Sequence, residues 1–219
     1  MHPDLPDRTR TSRPARREAQ PDRRLRAQTA PIVAGMVAAL VAVIVYLGAL
    51  RGSWSFGEVL RDPAAEFGHP IYAGFVSYLG IAGWLIAATV TALAVAVRPG
   101  TARRLGPVCL LSVVLLLDDV LLLHDAVLPR FGIPEMVVLA AIAALAVAAM
   151  RPFLPDLRAG RLPGLLCALL LLVASLGVDT LLPSGDGAAL FVEDMLKFAG
   201  IALWAGFWAQ HVTWLLRAR

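Results

Sequence analysis

Lysine is nearly missing from this chain: Lys197 is the one lysine among 20 basic residues, the rest being arginine. Charge of either sign is scarce, at 16% of 219 residues, where a soluble domain carries about a quarter. A conventional soluble domain is therefore excluded. Only two cysteines are present, Cys109 and Cys167. Neither has a Cys or His near enough in sequence for a zinc motif, and each falls near a helix start expected on the reducing cytoplasmic side, so a disulfide is not expected. No glycine-rich nucleotide loop, haem-type histidine pairing or zincin motif occurs.

Apolar residues fill the gap, at 58% of the chain with a mean hydropathy of +0.72. A bilayer is spanned by runs of about 20 apolar residues. Such runs are expected as helices near 31–50, 71–97, 105–128, 134–150, 163–182 and 188–216. The fold class this predicts is all-α, a polytopic bundle of six transmembrane helices over residues 30–219. Pro31, Pro134 and Pro163 are placed at helix starts, where a missing N–H costs nothing. Residues 1–29, rich in arginine and poor in apolar residues, read as a disordered cytoplasmic tail. Between the first two helices, Ser55-Phe56-Gly57-Glu58 fits a capping box and predicts a short interfacial helix, with Trp54, Phe56, Val59 and Leu60 at the interface.

The arginines set the orientation. With the N-terminus inside, 16 basic residues fall in the tail and the cytoplasmic loops, and three fall outside: Arg51, Arg61 and Arg130. This bias predicts a multi-pass protein of the cell membrane with both termini cytoplasmic. It also accounts for the basic pI without nucleic acid; the expected partner is the lipid bilayer.

Ionisable residues gather toward the outer side. Asp118, Asp119, His124 and Asp125 lie in LLLDDVLLLHDAVLP on the third helix, Asp179 lies near the end of the fifth, and Glu193, Asp194 and Lys197 lie in FVEDMLKFAGIALW on the sixth. A rise of 1.5 Å per residue places Asp118 and Asp119 about 15 Å from the outer boundary, with Lys197 opposite them. His124, Asp125 and Asp179 fall in a shallower layer with Glu193 and Asp194. Six carboxylates face one lysine and at most one imidazolium. That imbalance requires protonation, hydration or a bound cation. On an unbroken helix Asp118 and Asp125 share a face, Asp119 lies about 100° to one side and His124 about 120° to the other. A divalent metal ion is the cofactor this set would accept, with Asp118, His124, Asp125 and Glu193 as ligands. Blander readings stand beside these: Asp179 as a residue that snorkels near a helix end, Glu193 with Lys197 as a structural i,i+4 pair, and His211 as packing.

The segments DDVLLLHDAVLPRFGIPE and VEDMLKFAGIALW resemble those of a group of uncharacterised prokaryotic multispan proteins. Their pattern is an acidic pair, then His-acid, then Pro, with an acid-acid-x-x-Lys segment opening the last helix. The matching positions are Asp118, Asp119, His124, Asp125, Glu193, Asp194 and Lys197, with Asp125 standing where Glu is expected. The resemblance covers the C-terminal half and implies no activity. Intramembrane hydrolases related to alkaline ceramidases match poorly, because His211 has no histidine four residues away.

The function expected is a cation- or proton-binding site that opens to the extracytoplasmic side. The alternatives are a metal-assisted hydrolase acting on a lipid or a secreted substrate, a proton or cation transporter or channel subunit, and a scaffold whose ion cluster only locks helices together.

Overall fold

A computed structural model describes residues 23–53, 55–61, 63–181 and 187–217, with side chains described from residue 35 onward. It is helical throughout, with no strand among the described residues. The chain divides into two units, Met1–Ala73 and Gly74–Arg219.

In the first unit α1 runs Arg23–Leu50. It begins eight residues before the expected start, so part of the predicted disordered tail is helical and Pro31 lies inside the helix. Arg, Leu, Ala and Gln are good helix formers, and they carry the helix back through Arg23–Ala30. Residues 1–22 of that tail lie outside the described residues, as does Trp54. The short helix α2, Phe56–Leu60, carries the expected capping box. The Glu58 N–H donates to Ser55 Oγ at 3.2 Å, and the Ser55 N–H donates to Glu58 Oε2 at 2.6 Å. The Ser55 backbone N–H, and after it the Ser55 hydroxyl, hold the Glu58 carboxyl below its ordinary titration range. Phe56 stacks on Tyr46 of α1, and α3, Pro63–Phe67, follows with Glu66 paired to Arg61 at 3.2 Å.

The second unit holds the site. Its helices are α4 (Phe75–Val97), α5 (Ala102–Leu121), α6 (Leu128–Arg130), α7 (Glu135–Met150), α8 (Leu154–Arg158), α9 (Pro163–Leu181) and α10 (Gly187–Arg217). Three stretches are long and apolar enough to cross a membrane: Phe75–Val97, Glu135–Arg158 and Pro163–Leu181. A fourth joins them if Pro99–Leu121 and Leu123–Arg130 form one span, although the two are bent by 59°. The described apolar part of α1, Gly35–Leu50, is shorter. Glu193, Asp194, Lys197, Gln210 and His211 dilute the apolar character of α10.

Helix α4 packs between α5 and α10; α7 lies against α5, and α9 against α10. The core forms where Trp84, Leu111, Ile201, Trp204 and Trp208 meet Phe153 and Leu165. Trp204 Nε1–H donates to Ser112 Oγ at 3.1 Å, which satisfies both polar groups inside the core. Small residues bring the helices close. A Cβ on Gly83 would stand 2.5 Å from Ile201 Cγ2, and one on Gly200 would stand 2.8 Å from Leu172 Cγ. Gly83→Ala should therefore destabilise the protein by about 1–3 kcal/mol through overpacking. Ile201→Ala in the same chain should recover part of that loss by removing the clashing methyl. Thermal unfolding of the two single variants and the double variant checks this, and strictly additive losses would show that the two residues do not meet.

The two ends of this unit differ. At one, Arg98 donates to the Leu216 carbonyl at 3.3 Å, and Arg104 donates to the Pro152 carbonyl, also at 3.3 Å, and lies over the Phe153 ring. Most buried side chains lie toward this arginine end. At the opposite end, where the acids are, the helices bury little: Asp118, Val138 and Ser175 stand nearly alone there.

Candidate functional site at the acidic end

The third expected helix is not continuous. Helix α5 stops at Leu121, Leu122 takes a left-handed conformation (φ 51°, ψ 49°), and a single π turn, Leu123–Val127, leads into α6. The expectation of one helix over 105–128 is corrected accordingly. A leucine in this region costs about 1–2 kcal/mol, because its Cβ crowds the following carbonyl. Local hydrogen bonds offset that cost. Asp118 Oδ1 accepts the His124 backbone N–H at 3.0 Å, and Asp118 Oδ2 lies 2.7 Å from His124 Nδ1. The buried carboxylate thus caps the restarted helix and orients the imidazole.

This break also overturns the angular reading of the sequence. On an unbroken helix His124 points away from Asp118. Here the left-handed residue and the π turn rewind the chain and bring the ring back onto the carboxylate. The other ring nitrogen, Nε2, lies 3.1 Å from Asp125 Oδ1. Side-chain exposure falls from 56% at Asp125 to 16% at His124 and 6% at Asp118. The three groups form a line from the surface to the interior.

Asp119 faces the other way. Its Oδ1 accepts from Lys197 Nζ of α10 at 2.8 Å, and its Oδ2 accepts from Trp84 Nε1 of α4 at 2.9 Å. One carboxylate thereby ties three helices together. Lys197 is committed to this contact, and among the described residues no ion pair joins it to Glu193. Glu193 is half-buried within electrostatic range of Asp179, Asp194 and Asp125. Asp194 is exposed and lines a small pocket of about 30 Å³ with Ser77, Asp119 and Lys197. That volume admits a water molecule or two. Asp179 is exposed, and among the described residues no ion pair joins it to His124 or Lys197. His211 lies among Phe153, Phe207 and Trp208 at the arginine end, where it packs.

The expected metal set does not assemble. Among the described residues no three His, Cys, Asp or Glu side chains converge as ligands. His124 instead has a carboxylate at each ring nitrogen.

A cleft of about 240 Å³ opens beside Asp118. One wall is Val114, Leu123 and Leu128, and the other is Val138, Ile142 and Leu145 of α7. Asp118 is the one polar residue lining it. Sequence reasoning did not find this cleft, because its lining is brought together only by the packing of α5, the π turn and α6 against α7.

A family model described as a domain of unknown function, DUF8692, matches residues 33–211. The chain belongs to the DUF8692 family. The match takes in α4 through most of α10, so every residue of the site lies inside the family domain. No curated protein and no solved structure matches the chain.

Proposed function

We propose that this DUF8692 protein is a six-span membrane protein of the cell membrane, with both termini cytoplasmic, whose function centres on a proton-binding site. The site opens at the acidic, extracytoplasmic end. The observation that carries this is the line Asp125–His124–Asp118, with contacts of 3.1 and 2.7 Å and exposure falling inward. An imidazole flanked by two carboxylates accepts a proton at one nitrogen and yields one at the other, which makes it a shuttle between a solvated acid and a buried one. Asp119 has a different part: held by Lys197 and Trp84, it locks the helices on which the relay is built.

The orientation is supported by the 16 basic residues assigned to the tail and cytoplasmic loops against three outside. The six-span count is supported by the six long helical stretches, including the bent pair as one. Infrared spectroscopy of the carboxyl stretch, followed against pH in lipid nanodiscs, tests the site. The protein should show a titrating carboxyl band that Asp118→Asn removes and His124→Gln shifts along the pH axis. A band indifferent to both substitutions would overturn the relay.

A further inference from the structure

The arginine end of the second unit takes no part in the relay, and its charge is one-sided. Seven arginines stand there, on segments 98–104 and 151–161 and in the last turn of α10, against one carboxylate, Asp156. That carboxylate fixes the two loops to each other. It lies 3.6 Å from Arg104 and 3.2 Å from Arg161, while Arg104 also reaches the Pro152 carbonyl and covers the Phe153 ring. Arg98 fastens the same loop to the end of α10 through the Leu216 carbonyl. Asp156 is thus fully engaged within the frame. Arg103, Arg151, Arg158 and Arg217 are exposed, and among the described residues no ion pair or side-chain hydrogen bond engages any of them. The clamped loops therefore present guanidinium groups without counter-charge.

Exposed hydrocarbon begins just inward of these groups. Val147 of α7 precedes Arg151 by about one helical turn, and Leu110 of α5 follows Arg103 by about two; both are exposed. Two chemistries meet at this end. Guanidinium forks match phosphate oxygens two at a time, and open aliphatic surface is covered favourably by hydrocarbon. Inorganic phosphate or a nucleic acid would use only the first. A phospholipid with a net negative head uses both.

We propose that the arginine end binds the head groups of anionic phospholipids, with Arg103, Arg151 and Arg158 as the contacts and the acyl chains along α5 and α7. The proposal rests on the membrane-spanning reading of the chain and uses no residue of the acidic end, so the relay can fail without it.

The test is native mass spectrometry of the full chain released from detergent, with phosphatidylglycerol and phosphatidylcholine offered in equal amounts. The anionic lipid should be retained about tenfold over the zwitterionic one. Replacing Arg151→Gln and Arg158→Gln together should bring the two lipids close to parity, and Arg103→Gln alone should lower the preference several-fold. Arg130→Gln, at the opposite end, should leave it unchanged. Equal retention of the two lipids by the unaltered chain would overturn the proposal, as would an equal loss of preference in Arg130→Gln. Displacement of the lipid by inorganic phosphate or by a single-stranded oligonucleotide at the same concentration would overturn it too. A chain that stays soluble without detergent and retains neither lipid would overturn the membrane reading, and the proposal with it.

Discussion

Lys197→Met should lower the stability of the solubilised protein by about 2–3 kcal/mol. Removing one partner of a buried ion pair typically costs about 3–5 kcal/mol, because the other charge is left stranded. Here the pair is not fully buried: the side chains of Lys197 and Asp119 are 38% and 13% exposed. Water screening at the lysine moves the expected loss to the bottom of that range or below it. Asp119 would keep the Trp84 N–H on one oxygen and lose its only ammonium partner. Lowering the pH should then restore part of the loss, since protonating the stranded carboxyl removes its charge. Divalent metal should not, because the neighbouring acids are not arranged as ligands. Thermal unfolding of the variant across pH and metal concentration separates the two. Rescue by metal would reinstate a metal site at this end, and no loss at all would show that Lys197 reaches water and that the pair contributes nothing.

Asp118→Leu should be comparably damaging, for a different reason. It leaves the His124 backbone N–H and the imidazole without the carboxylate that receives them. Each buried polar group so abandoned costs about 1–3 kcal/mol, which gives about 2–6 kcal/mol for the pair. Asp118→Asn keeps the shape and one acceptor, so it should cost about half as much. The geometry should respond as well. Without the carboxylate, the 59° bend loses the bonds that offset the left-handed leucine. Spin labels at the exposed positions Leu117 and Arg130 should move apart in Asp118→Leu as the helix straightens. Leu122→Gly should keep the bend, since glycine adopts that backbone conformation without penalty. An unchanged spin-label distance in Asp118→Leu would show that packing, rather than Asp118, holds the break.

Much of this was legible in the residues. Apolar runs located the helices of the second unit to within a few residues, because hydropathy averages over many positions. The capping box at Ser55 was visible because its chemistry is local. Counting rise per residue placed Lys197 level with the acidic pair, and the structure brings it to Asp119. What escaped was the break at Leu122. No sequence signal marks a leucine as left-handed; the conformation is imposed by a carboxylate four residues earlier and a histidine two residues later. The angular separation of His124 from Asp118, which depended on an unbroken helix, failed with it. The start of α1 escaped because composition, which suggested disorder, outweighed helix propensity in reading residues 23–30.

The ladder of indoles has an optical consequence. Trp84, Trp204 and Trp208 follow one another at 6.2 and 5.5 Å between ring centres, each edge-on to the next. Chromophores this close share their excitation, so the chain should show a strong near-ultraviolet circular dichroism signal that vanishes when the helices separate. Trp84 also donates its N–H to Asp119. A change of charge on that carboxylate or on the lysine opposite therefore reaches one indole of the ladder. The near-ultraviolet signal should therefore respond, without a label, both to the packing of the core and to the acidic end.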